Sequence, residues 1–398
     1  MKPSTRNPGD HEKAMIDDPL TGLLADLVAI PSVNPMGRVP PGQGHAEEAI
    51  ADYVASFLRH CHIDVETTEV MPGRPNVIGF VDAGKRETLL LEAHLDTVRV
   101  DTMTIPPFGA EIRDGRLYGR GACDTKGSLA AFLHALCSSV SEGRDRRFNV
   151  IVAATADEEY QFSGARHAAS HGLKADMGIA GEPTSLHIVR AHKGVTRWNI
   201  AVRGVAAHSA YPERGENAIY TMGHILTRLE LYGENLAAAP PHAELGAPTF
   251  SVGVIRGGQA VNIVPDTCEI EVDRRTLPGE TAASVLEEVR RVLREVSGWT
   301  FHPPHVDVRG MEVPRESPVV ERLAEAVRGV TGSVTIESAQ YATDAGIYAA
   351  AGIPTVVFGP GDITQAHTAD EWINLEEVRS ASAVIRRLID TATPTIHD

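Results

Sequence analysis

Thr88-Leu89-Leu90-Leu91-Glu92-Ala93-His94-Leu95-Asp96 is the stretch on which the fold turns. A short apolar run of this kind reads as a strand buried on both faces. It ends in His94 and Asp96, and alternate residues at a strand end point the same way. Similar runs lie at 77–81, 150–154 and 177–180, each bounded by polar residues or glycine. Helical patterns intervene, clearest over 126–140. Strands alternating with helices predict an α/β fold with a mostly parallel sheet and helices on both faces.

Working outward, Asp18-Pro19 reads as an N-cap followed by proline at the first helical position. Leu20, Leu23, Leu24, Leu27 and Val28 then recur at helical spacing, and Pro31 and Pro35 stop the helix. A second amphipathic helix carries Ile50, Val54, Phe57 and Leu58. Residues before about Asp17 read as a loose tail. After about Ala191 the pattern changes to a strand (195–202), a helix (218–231), two strands (249–255 and 267–272) and a helix (281–296). That order predicts an α+β unit of ferredoxin-like type. The β/α pattern resumes after about Val306 and ends in a helix over Leu375–Ile389, capped by Asn374. A second domain, 192–306, is thus expected as an insertion into a first built from 1–191 and 307–398.

At 398 residues the chain has room for two domains. A net charge of -16 repels phosphate backbones and argues against nucleic acid as a partner. No apolar run approaches the ~20 residues that span a bilayer, so no membrane partner is expected. The polar start lacks the hydrophobic centre of a secretory signal. Cys61, Cys123, Cys137 and Cys268 are scattered, with no C-x-x-C pair. That argues against a disulfide framework or thiolate zinc site and suits a reducing cytoplasm.

Several loops after strands carry candidate ligands. His94 could bind a metal while Asp96 holds its other ring nitrogen; a plain His–Asp pair is the alternative. Asp124, in Gly119-Arg120-Gly121-Ala122-Cys123-Asp124-Thr125-Lys126-Gly127, taken alone reads better as a helix cap than as a ligand. Asp157-Glu158-Glu159 are three adjacent carboxylates that repel one another unless a cation is near; a solvated acidic loop is the alternative. Glu182 in Gly181-Glu182-Pro183-Thr184 and His367 after Gly359-Pro360-Gly361 complete the set. Taken together, these are hard oxygen and imidazole ligands at the edge where α/β sheets bind. No G-x-S-x-G elbow follows a strand, which speaks against a serine hydrolase.

The order H-x-D, G-R-G-x-x-D-x-K-G, D-E-E, G-E-P-T and a late A-H resembles the M20 family of metallopeptidases and deacylases. The resemblance runs from Pro31-Ser32-Val33-Asn34-Pro35 to His367-Thr368-Ala369-Asp370-Glu371. It implies a zinc-peptidase-like catalytic domain and an inserted lid that also forms a homodimer. It implies two divalent ions, zinc first, with cobalt or manganese as alternatives. His94 and Glu182 would bind one ion, His367 and Glu159 the other, and Asp124 would bridge them. Glu158 would be the general acid/base, Asp96 would orient His94, and the Asp124–Thr125 peptide would be cis. In the lid, Gly204-Val205-Ala206-Ala207-His208-Ser209-Ala210-Tyr211-Pro212 matches a family stretch whose histidine, here His208, steadies the oxyanion in a partner subunit. Asn262 and Arg275, rather than Arg274, would meet the substrate carboxylate.

Gly181-Glu182-Pro183-Thr184-Ser185-Leu186 and Val189-Arg190-Ala191-His192-Lys193-Gly194 resemble the acetylornithine deacetylase branch of that family. This implies deacetylation of a small N-acyl amino acid. A desuccinylase or dipeptidase on the same scaffold is the first alternative, and a binding protein that has kept only the fold is the second.

Overall fold

The computed structural model describes residues 18–37 and 46–391; the tail expected before about Asp17 lies outside them. The chain divides into two compact units. One comprises the chain up to Arg190, Val313–Glu337 and the chain from Thr343 onward; the other comprises Ala191–Glu312 and Ser338–Ala342.

The first unit opens with helices α1 (Pro19–Ala29) and α2 (Glu48–His60) and strands β1 (Asp64–Met71), β2 (Arg74–Val81) and β3 (Thr88–His94). Next come β4 (Glu111–Arg113), β5 (Arg116–Tyr118), α3 (Gly127–Ser141), β6 (Asn149–Thr155), α4 (Ser163–Ser170), β7 (Met177–Ala180) and β8 (Ile188–His192, whose last two residues fall in the second unit). The second unit carries β9 (Gly194–Arg203), β10 (Ala207–His208), α5 (Ala218–Ala238), β11 (Thr249–Gly257), β12 (Ile263–Val264) and β13 (Thr267–Thr276). It continues with α6 (Ala282–Leu293), β14 (Trp299–Phe301), β15 (Val306–Val308) and β16 (Met311–Glu312). The first unit then resumes with α7 (Pro318–Thr331), β17 (Ile336–Ala339, whose last residues fall in the second unit), α8 (Ala345–Ala350), β18 (Thr355–Val357), β19 (Trp372–Asn374) and α9 (Leu375–Ile389).

The main sheet of the first unit has the order β1-β2-β6-β3-β7-β18-β8. Its central strands β6, β3, β7 and β18 run parallel. The sheet as a whole is mixed, because β1–β2, β2–β6 and β18–β8 are antiparallel. Connection length explains the difference. Only Pro72-Gly73 separates β1 from β2, with Gly73 at φ 72, so the chain must fold straight back. The short link 181–187 likewise starts β8 at the end of the sheet where β7 finishes.

Leu89, Leu90 and Leu91 have no exposed surface, and burying each contributes about 1.5–3 kcal/mol. Helix α9 packs on α3 and α7, and α1 packs on α3. Asp18 caps α1 by accepting the Leu20 amide, and Asn374 caps α9 by accepting that of Glu376. The parallel centre places the carboxyl ends of β3, β6, β7 and β18 along one edge, where the candidate loops begin.

In the second unit the sheet order is β11-β13-β9-β14, with β15 also on β9, and every pairing is antiparallel. Strand β13 alternates half-buried and buried residues along its length, as a sheet covered on one face requires. Helices α5 and α6 close that face around Trp198, Ile270 and Val289. Thr281 and Ser284 form a capping box at the start of α6. No helix among the described residues is long and apolar enough to cross a membrane.

Candidate metal centre

His94 is the last residue of β3, and Glu182 lies two residues beyond β7. A Cβ at the intervening Gly181 would come within 2.8 Å of Ser128 Cβ, so glycine lets this loop pass close to α3. Asp124 sits in the turn between β5 and α3. Gly121 opens that turn at φ 83, and a Cβ there would lie 2.7 Å from Thr97 Cγ2. The Asp124–Thr125 peptide is cis.

Asp124 does not cap α3; the N-cap position is Lys126, with no side-chain cap bond. Its two oxygens face two imidazoles instead. Oδ1 is 3.1 Å from His94 Nε2, and Oδ2 is 3.2 Å from His367 Nε2. His94 Nε2 also lies 3.9 Å from Glu182 Oε1, and His367 Nε2 lies 3.2 Å from Glu159 Oε2. Glu158 joins the same cluster: ligand atoms of His94, Glu158 and Glu182 lie within 4.8 Å of one another, as do those of His94, Asp124 and Glu159. Six of the sequence candidates thus converge within the first unit.

The electrostatics are those of crowded acids. Burial lifts the Glu158 and Glu182 carboxyls well above the usual range; Glu182 adds to the effect at Glu158, and Asp124 at Glu182. Burial likewise pushes Glu159 up to about 7. For His94, burial opposes the charged form, but the Asp124 and Asp96 contacts outweigh it and raise the imidazole. Hydrogen bonds to Asp124 and Glu159 push His367 up to about 10. Protons on the two imidazoles offset the acids, and a divalent cation would displace them and take over that role. The donor set fits such ions, being all carboxylate and imidazole. Glu159 Oε1 is buried with no hydrogen-bond partner, an orphan that a cation would satisfy. His94, Asp124 and Glu182 could hold one ion, and His367, Asp124 and Glu159 a second.

Asp96 meets His94 mainly through its backbone, and Asp157 lies apart from the other two acids of its trio. His94 Nδ1 lies 2.9 Å from the backbone carbonyl of Asp96 and 3.6 Å from its carboxylate, so the carbonyl makes the short contact that orients the ring. The Asp96 carboxylate instead accepts Asn34 Nδ2 at 2.7 Å and the amides of Glu158 and Glu159 at 3.1 Å each. Asp157 is not part of the acidic cluster. Its side chain pairs with Arg74 at 2.8 Å.

The model of peptidase family M20/M25/M40 matches residues 90–391. This chain belongs to that family. As an M20 protein it is a metal-dependent amidohydrolase. It is 36% identical to an acetylornithine deacetylase of Myxococcus xanthus, across 93% of this chain and 96% of the relative. It is 33% identical to an acetylornithine deacetylase of Photorhabdus laumondii, across 94% and 97%. Among solved structures, an M20 family metallo-carboxypeptidase of Sulfolobus solfataricus superposes with a TM-score of 0.76 at 20% identity, across 93% of this chain and 98% of the other. A dinuclear metal-binding M20 peptidase of Bacillus subtilis gives 0.66 at 18% identity, across 93% and 96%.

The remaining candidates of this M20 chain lie in its second unit. His208 on β10 pairs with Ile263 on β12, and the Ser209 amide donates to the Asn262 carbonyl at 3.1 Å, so His208 and Asn262 share one small ribbon. The His208 ring is exposed and accepts the Ala210 amide at Nδ1, which leaves Nε2 as the donor. On β13, Arg274 is fully buried and bound to Glu280 at 2.7 Å. Arg275 is half-buried and pairs with Asp273 at 2.8 Å. It is the more accessible of the two arginines.

The residues behind the ligand loops escaped notice in the sequence. Glu47 and Arg74 bind each other and the Asp157 loop. Arg120 and Glu371 pair at 2.6 Å beneath the Asp124 turn. Buried Lys126 donates to the Ile30 carbonyl at 2.8 Å. The available signals were a charged residue, Arg74, at the head of a mostly apolar strand, and Arg120 and Lys126 inside the motif around Asp124.

Proposed function

We propose that this chain hydrolyses the amide bond of a small N-acyl amino acid, with N-acetylornithine as the model substrate and two zinc ions as cofactor. The carrying observation is Asp124, whose two oxygens face separate histidines, each with its own glutamate, beside a buried Glu158. The deacetylase names of relatives that align over nearly the whole chain support the acyl group.

Two bound ions would supply Lewis acidity and a water ready to lose its proton near neutral pH. Glu158 would take a proton from the water that adds to the amide carbonyl and return it to the amine as the C–N bond breaks. Asp124, Glu159 and Glu182 with the two histidines keep the reacting groups in register. His208, acting from the second copy of a homodimer, donates to the developing oxyanion. Asn262 and Arg275 take the substrate carboxylate.

The test is a rate comparison on the zinc-loaded protein with N-acetylornithine, N-succinyl-diaminopimelate and a panel of dipeptides. The proposal expects the highest kcat/KM for the N-acetyl amino acid. Faster cleavage of the succinyl compound or of a dipeptide would replace the acyl assignment. No hydrolysis of any of them, with zinc bound, would overturn the reading.

A further inference from the structure

We infer that Arg74, together with Glu47, positions the catalytic base by clamping the backbone of Asp157-Glu158-Glu159. The inference rests on the reading of Glu158 as base and Glu159 as metal ligand.

Asp157 is fully buried at φ 69, a left-handed conformation that a residue with a Cβ rarely adopts. Its polar groups are all engaged. The amide donates to Glu47 Oε1 at 3.1 Å. The carbonyl accepts the amides of Phe162 at 2.6 Å and Gln161 at 3.3 Å. Oδ1 accepts Arg74 Nη1 at 2.8 Å and Asn34 Nδ2 at 3.0 Å, and Oδ2 accepts Ser163 Oγ at 2.5 Å. The next two amides, of Glu158 and Glu159, both end on Asp96. Three successive amides are therefore caught by two buried carboxylates from distant parts of the chain.

Arg74 joins these parts. Its Nε and Nη2 hold Glu47 at 2.6 and 2.5 Å while Nη1 holds Asp157. Asn34 bridges from Asp157 to Asp96. With the Asp157 side chain turned to Arg74, the chain reversal carries Glu158 and Glu159 to the cluster. A planar guanidinium can hold both carboxylates at fixed angles, whereas an ammonium is a point charge. Arg74 touches no reacting atom, so its part is positioning, and small displacements of a base are costly to rate.

Arg74→Met leaves two buried carboxylates without a counter-charge and risks the fold, so Arg74→Lys, which keeps the charge and loses the fork, is the deciding variant. It is compared with the parent, with Glu158→Gln and with the double variant. The readouts are kcat and KM on the parent's best N-acyl amino acid, zinc affinity, and amide exchange of the peptide containing residues 157–159. Arg74→Lys is expected to lower kcat about 30-fold or more while KM moves less than about threefold. Exchange at 157–159 rises about tenfold or more, with the β3 peptide unchanged. On the Glu158→Gln background the same substitution costs less than about threefold, because a misplaced base no longer matters. A kcat within threefold of the parent, or a loss fully additive with Glu158→Gln, overturns the proposal. If the parent cleaves no N-acyl amino acid, the functional reading fails by itself. The clamp is then judged on exchange and zinc affinity, and parental values of both in Arg74→Lys overturn it.

Discussion

Arg120 and Glu371 form an ion pair 2.6 Å long with each side chain 1% exposed. The other Glu371 oxygen accepts the amides of Cys123 at 2.9 Å and Asp124 at 3.1 Å, while Arg120 Nη2 donates to the Thr368 carbonyl at 3.2 Å. One buried pair thereby ties the Asp124 turn to the loop bearing His367. Arg120→Met strands a buried carboxylate, and the expected loss of stability is about 3–5 kcal/mol. Urea unfolding measures it, and a midpoint equal to the parent's would show that the pair holds nothing.

Asp124 faces both His94 and His367, and the proposal gives Glu159 to one ion and Glu182 to the other. Asp124→Ala is expected to lose both ions, and Glu159→Ala or Glu182→Ala one each. Elemental analysis of dialysed protein checks this. Equal metal content in all three variants would refute the bridging role.

Chelation removes the cations that offset the buried acids. At an ion concentration a thousand-fold above Kd, binding stabilises the folded chain by about 4 kcal/mol. Thorough chelation should therefore abolish hydrolysis and lower the Tm, and restoring zinc should reverse both. Full activity after verified metal removal contradicts the assignment.

Glu158→Gln keeps the shape of the base and removes its proton traffic. The expected fall in kcat is about 10²–10⁴-fold, with metal content unchanged, since the proposal makes Glu158 the base and Glu159 the ligand. A variant as active as its parent would move the base elsewhere.

His192 in the second unit is fully buried, and burial pushes its imidazole down to about 4. The unfolded value near 6.5 is higher, so acid protonates the unfolded chain first. Stability is complete above about pH 6.5 and falls as pH drops towards 4, by on the order of 3 kcal/mol. His192→Asn should flatten that limb of a denaturant-stability profile measured from pH 7.5 to 4.5. An unchanged slope would assign the acid sensitivity to other groups.

Much of the architecture was legible because its signals are local. Leu89–Leu91, the Asp18-Pro19 start and the Asn374 cap each announce themselves within a few residues. Strand direction was less legible, since an apolar run looks the same whichever way its neighbour runs; only the Pro72-Gly73 link reveals that β1 and β2 fold back. The acidic trio at 157–159 shows the same limit. Sequence gives three adjacent carboxylates, but the positive φ at Asp157 sends one of them to Arg74, 83 residues away. The Arg74–Glu47 and Arg120–Glu371 pairs stayed hidden because charges separated by long stretches of chain carry no periodic signal.

The chain leaves the first unit after Arg190 and re-enters it at Val313, where the Val313 amide donates to the Arg190 carbonyl at 2.8 Å. Just beyond, His192 pairs with Met311 and Ala191 with Glu312. Exit and return are neighbouring rungs of one ladder. Any module whose own termini sit side by side can be spliced at this seam without stretching the sheet. The seam is thus a point at which the length and sequence of the inserted chain can change while the ladder beside it stays closed.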